Sequence, residues 1–119
     1  MKKFYSVYFI IALLFSNAFV NAQNTSLPVR FAAGNFITAD NVQTQSFQKD
    51  NLHISLFSNT YYVLVQFSVL PSAEIKQSLK NAGLELGSYI PGNAYFAAIK
   101  NGFDFSQADK FSIRSINSI

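Results

Sequence analysis

Chemistry in this chain would fall to one histidine, six carboxylates and a scatter of hydroxyls, because its 119 residues include no cysteine. The missing thiols remove a cysteine nucleophile, a thiolate zinc site, a disulfide framework and a lipid-modified cysteine. His53 stands between Leu52 and Ile54 in a polar stretch, which suits a surface or half-buried imidazole better than a general base. The carboxylates Asp40, Asp50, Glu74, Glu85, Asp104 and Asp109 do not cluster. Asp104 and Asp109 read as helix capping and solvation rather than an acid/base pair. Each glycine fits a turn, a cap or a strand position, so no loop is built to cradle phosphate. The chain is therefore expected to be no enzyme and to hold neither metal nor cofactor.

A formal net charge of +3 and a pI near 9.3 invite a nucleic-acid reading. The charge, however, is unevenly placed. Met1-Lys2-Lys3 precedes an apolar run, Val7–Phe15, that is far shorter than the roughly 20 residues of a bilayer span. Small residues follow at Val20-Asn21-Ala22, the pattern of a signal peptide cut between Ala22 and Gln23. Residues 1–22 are thus expected to direct export to the periplasm or the extracellular space. The remaining chain carries a net charge of only +1. That is too little to hold a phosphate backbone, and no stable membrane anchor remains.

The elements that would position any site sharpen toward the C-terminus. Residues 23–57 read as an extension of short strands and loops. Pro28–Phe31 and Phe36-Ile37 flank a turn at Ala33-Gly34-Asn35, residues 38–51 form a loop or marginal helix, and Ile54–Phe57 is another short strand. Tyr61–Phe67 is apolar on both pleat faces, as a central strand covered on both sides would be. Ser72 caps a helix whose stripe is Ile75, Leu79 and Ala82, and Gly83 ends it. Leu84–Ile90 is a weaker strand carrying Glu85 and Gly87, and Pro91-Gly92-Asn93 is a turn. Ala94–Lys100 is again apolar on both faces, Phe103–Lys110 is a short helix, and Phe111–Ile119 is a last edge strand.

Strand–helix–strand–strand–helix–strand over residues 58–119 predicts an α+β domain with the ferredoxin-like split β-α-β-β-α-β antiparallel sheet. The doubly apolar runs fall on its central strands and the polar residues on its edges. Two helices cover only one face of such a sheet. The other must be covered by residues 27–57 or by another protein. Gly92–Ala97 loosely echoes a base-stacking strand of RNA-binding modules, but export and near-neutral charge oppose that reading.

Tyr61-Tyr62-Val63-Leu64-Val65-Gln66-Phe67, the helix ending Asn81-Ala82-Gly83, Leu86-Gly87-Ser88-Tyr89-Ile90-Pro91-Gly92-Asn93-Ala94-Tyr95 and the closing Phe111–Ile119 together resemble the N-terminal prodomain of secreted bacterial subtilisin-like serine peptidases. The resemblance implies a folding assistant and temporary inhibitor, with the open sheet face packed on the peptidase. It also implies a longer precursor, because the peptidase motifs and the cleft-binding tail do not occur within these 119 residues. The expected contact face is Tyr62, Leu64, Gln66, Phe96 and Ala98, or the opposite face if the register is reversed. The competing expectation is a free-standing secreted or envelope interaction module with no peptidase partner, in which residues 27–57 cover the second face.

Overall fold

Two runs apolar on both pleat faces, Tyr61–Phe67 and Ala94–Lys100, organise this molecule. The computed structural model describes residues 27–119. The expected signal peptide, residues 1–22 with its cut between Ala22 and Gln23, lies outside the described residues. The chain begins with β1 (Pro28–Phe31) and β2 (Gly34–Ile37), followed by a 3₁₀ helix over Lys49–Ser55. Next come β3 (Leu56–Phe57), β4 (Thr60–Phe67), α1 (Ala73–Ala82), β5 (Leu84–Ile90) and β6 (Ala94–Lys100). A second 3₁₀ helix, Phe105–Phe111, leads into β7 (Ile113–Ser118). The fold is α+β. One antiparallel sheet holds β3 to β7, and β1 and β2 form a separate two-stranded hairpin.

The two doubly apolar runs lie inside the sheet. β4 pairs with β6 on one side and with β7 and β3, end to end, on the other, while β5 flanks β6. All of these pairings are antiparallel. Tyr61, Val63, Val65 and Phe67 of β4 point to the main core, where Leu79, Leu84, Ile99, Phe103, Ala108, Ile113 and Ile116 are buried with them. Val42 and Leu52 of the N-terminal extension join this core, so extension and sheet share one packing unit.

Helix α1 starts and stops as its sequence dictates. The Ser72 hydroxyl accepts from the Ile75 N–H at 3.3 Å, satisfying one orphan donor of the first turn. Gly83 takes the left-handed conformation (φ 103°) that a β-carbon would oppose, and its N–H closes on Leu79 and Lys80. The buried stripe is narrower than the periodicity implies. Leu79 is buried and Ile75 half-buried, but Ala82 is exposed.

The segment after β6 forms a 3₁₀ helix over Phe105–Phe111, displaced from the helix expected over Phe103–Lys110. The reason is a period of three. A 3₁₀ turn places Phe105, Ala108 and Phe111 on one face, and all three pack into the main core. An α-helix would spread the same three over an arc of about 120°. Lys49–Ser55, read as loop running into strand, is 3₁₀ for the same reason, with Leu52 and Ser55 on its buried face.

The extension also closes an edge. The Asn41 side chain donates to the Ile116 carbonyl at 3.0 Å and accepts from the Ile116 N–H at 3.1 Å. The Arg114 carbonyl accepts from the N–H groups of Asn41 and Val42. A loop residue thus supplies the two bonds that a neighbouring strand would have made to β7.

Candidate partner-binding face

The residues expected to carry chemistry stay apart. The exposed His53 ring sits 2.9 Å from the Asp50 carbonyl of its own 3₁₀ turn. Asp104 caps the second 3₁₀ helix, accepting from the Ser106 N–H, the Ser106 hydroxyl and the Gln107 amide at 2.6–3.0 Å. Those bonds, led by the Ser106 hydroxyl, hold its carboxyl below the ordinary aspartate value. Glu74, likewise lowered, is held by its own backbone N–H and by Ser72 in the first turn of α1. Glu85 pairs with Lys80 at 3.2 Å on the exposed surface. Among the described residues, no three metal-ligating side chains gather.

What the fold does assemble is a face. The β4–β6 register sets Tyr62 opposite Ala98, Leu64 opposite Phe96 and Gln66 opposite Ala94. Alternation along each strand then puts all six side chains on the side away from the main core. Tyr62, Leu64, Gln66, Phe96 and Ala98 therefore share one surface. The hairpin divides it. Tyr62 (49% exposed) and Phe96 (37%) are open, with Ala98 half-buried beside them, whereas Leu64 and Gln66 are buried. A partner meeting the molecule in this state reaches Tyr62, Phe96 and Ala98. Leu64 and Gln66 do not present a contact surface, because β1 lies over them.

Three features seat the hairpin. Val29 packs with Leu64 and Ala94 in a small cluster separate from the main core, flanked by Phe31 and Ile90. The Arg30 N–H donates to the Pro91 carbonyl at 2.8 Å. Gly92 (φ 107°) makes room, since a Cβ there would overlap the Pro28 carbonyl oxygen and lie 3.0 Å from the Val29 Cα. Turn chemistry alone gives one reason for glycine at this position. The passage of β1 gives a second that no local pattern carries.

Beneath the base of the hairpin lies a buried polar knot centred on Gln66. Its amide donates to the carbonyls of Leu27 (2.6 Å) and Gly92 (2.9 Å). Its Oε1 accepts from the Arg114 guanidinium at 2.8 Å and from the Thr38 hydroxyl. Arg114 also donates to the Thr38 oxygen at 3.3 Å. Every hydrogen-bonding position of the buried amide is filled, which is the condition for placing a polar group there at little cost. Thr38, Gly92 and Arg114 were not among the expected site residues. Gln66, the one polar residue in an apolar strand, was the only hint of them.

Two shallow hollows border the open half. One, of about 410 Å³, lies under the hairpin tip between Phe31, Phe36, Leu64 and Ile119. The other, of about 320 Å³, lies between Tyr62, Gly87, Phe96, Ala98 and Ile119. Gly87 sits where two residues of β5 oppose one of β6, and a side chain there would crowd the Phe96 carbonyl at 3.2 Å. The surface is apolar, and the exposed Lys80–Glu85 pair stands at its β5 rim.

Residues 30–119 match the model of a family described as a domain of unknown function, DUF8729. No curated protein and no solved structure matches the chain.

Proposed function

The chain belongs to the DUF8729 family across residues 30–119, and from its sheet face we propose that it is an exported, non-catalytic module that docks a partner protein on the half-open sheet face, as the prodomain of a subtilisin-like serine peptidase does. The observation that carries this reading is the difference between the sheet faces. One is closed by α1 and the 3₁₀ helices, while the other leaves Tyr62 and Phe96 in solvent within an apolar surface. Exposed aromatics grouped in this way mark interaction sites rather than isolated surface residues. The strand order β7–β4–β6–β5 is that of the split β-α-β-β-α-β domain, and it supports the ferredoxin-like assignment within this proposal. Residues 1–22 would export the chain. The docked module would assist folding of the peptidase and occupy it temporarily.

The test is inhibition. The purified chain, starting at Gln23, is added to secreted bacterial subtilisin-like peptidases and peptide hydrolysis is followed. Inhibition is expected, and Tyr62→Asp with Phe96→Asp should weaken it by about tenfold or more while the circular dichroism spectrum is unchanged. A folded chain that inhibits none of them, or a double variant that inhibits equally, would sink the reading.

A free-standing interaction module without a peptidase partner is the second reading. It is favoured by the hairpin, which occupies half of the face that a peptidase would cover, and by a family match that includes most of that hairpin. Absence of inhibition from a well-folded chain would move the assignment to it.

A further inference from the structure

We propose that the β1–β2 hairpin is a detachable strap, closed here over half of the sheet face and able to lift off without unfolding the sheet. Four observations converge on it. First, among the described residues no strand ladder joins hairpin to sheet, and β1 and β2 pair with each other. Second, the strap is one strand thick, because all four residues of β2 are exposed and only Val29 and Phe31 of β1 turn inward. Third, its apolar seat is a small cluster separate from the main core, so lifting it leaves that core intact.

The fourth observation is the chemistry of the knot. Of the four partners of Gln66, Leu27 and Thr38 leave with the strap, whereas Gly92 and Arg114 belong to the sheet side and stay. Water can replace the two bonds lost by Gln66, the Arg114–Thr38 bond and the Arg30–Pro91 bond, so opening strands no buried polar group. An apolar plug at position 66 would have no such exchangeable partners. Lifting the strap would join Leu64 and Ala94 to Tyr62, Phe96 and Ala98 as one continuous apolar surface. The device therefore regulates the extent of the docking face. That consequence rests on the function proposed above, although the opening itself does not.

Amide hydrogen exchange on the purified protein, resolved by NMR, tests the strap. Arg30 reports on the hairpin through its bond to Pro91, while Phe67 (to Asn93) and Lys100 (to Gly83) report on the sheet. The Arg30 amide should exchange about a hundredfold faster than the other two, as a locally opening unit does. Thr38→Val removes two bonds of the knot from the strap side, the one donated to Gln66 and the one accepted from Arg114. It should speed Arg30 by about tenfold and leave Phe67 and Lys100 within about twofold of the parent. A common rate for the three amides would overturn the strap, as would a Thr38→Val effect on all three alike or on none. Either result would leave docking at Tyr62 and Phe96 to be judged separately by the inhibition assay.

Discussion

The two faces of this sheet are built from the same two strands, yet they are held by different physics. On the core side, Val63, Val65 and Phe67 meet a contiguous apolar cluster drawn from α1, both 3₁₀ helices, β5 and β7. On the hairpin side, the same strands offer Leu64 and Ala94 to a thin cover and Gln66 to a polar knot, then leave Tyr62 and Phe96 open. Burial against many rigid neighbours makes a face structural. Burial against one hairpin makes a face conditional, since its stabilisation is only as large as the attachment of that hairpin. The difference shows that an apolar strand in the middle of a sheet need not be equally committed on both sides.

That contrast can be broken by substitution, and the largest effect should come from the core side. Phe67→Ala removes a fully buried ring that meets Tyr95 edge-on at 5.9 Å. It should cost about 4 kcal/mol in urea unfolding. Leu64→Ala on the other face should cost about 2 kcal/mol, because the hairpin can settle into the space. Equal losses would mean that the two faces are equally rigid. Tyr62→Ser, in the open half, should change stability by no more than about 0.5 kcal/mol. A larger loss would place Tyr62 in the structural framework.

The smallest effect belongs to the rim of the core. The folded state holds the Asp104 carboxyl below its ordinary value of 3.8, chiefly through the Ser106 hydroxyl. A depressed value means that the carboxylate stabilises the fold above the unfolded value, and that this contribution is lost as pH falls through the folded one. Asp104→Asn should therefore lower Tm slightly at neutral pH, with the difference from the parent vanishing well below pH 3.8. A difference that persists in acid would assign the effect to geometry rather than charge.

Local signals were legible to the extent that their causes were local. Ser72 and Gly83 bracket α1 because capping needs only neighbouring backbone groups. The two runs apolar on both pleats gave the central strands, and the α+β class followed from the alternation of elements. The 3₁₀ segments were harder. Phe105, Ala108 and Phe111 carry a period of three, but over so short a stretch this is easily read as one face of an α-helix. The candidate face divided along the same line. Its membership follows from strand alternation, whereas its covering does not. Thr38 and Gln66 are 28 residues apart and Gln66 and Arg114 are 48 apart, so their meeting leaves no trace in any local window. Gly92 looked sufficient as a turn residue, and its second task required knowing where β1 passes.

The amide of Asn41 has a consequence for crowding at high concentration. By occupying both bonding positions of Ile116, it denies a neighbouring molecule the backbone groups that edge-to-edge polymerisation would use at β7. Among the described residues, no strand pairs with the outer edge of β5. Two copies joining β5 to β5 would use the β5 edge of each. A single asparagine thus withholds this stretch of β7 from strand addition.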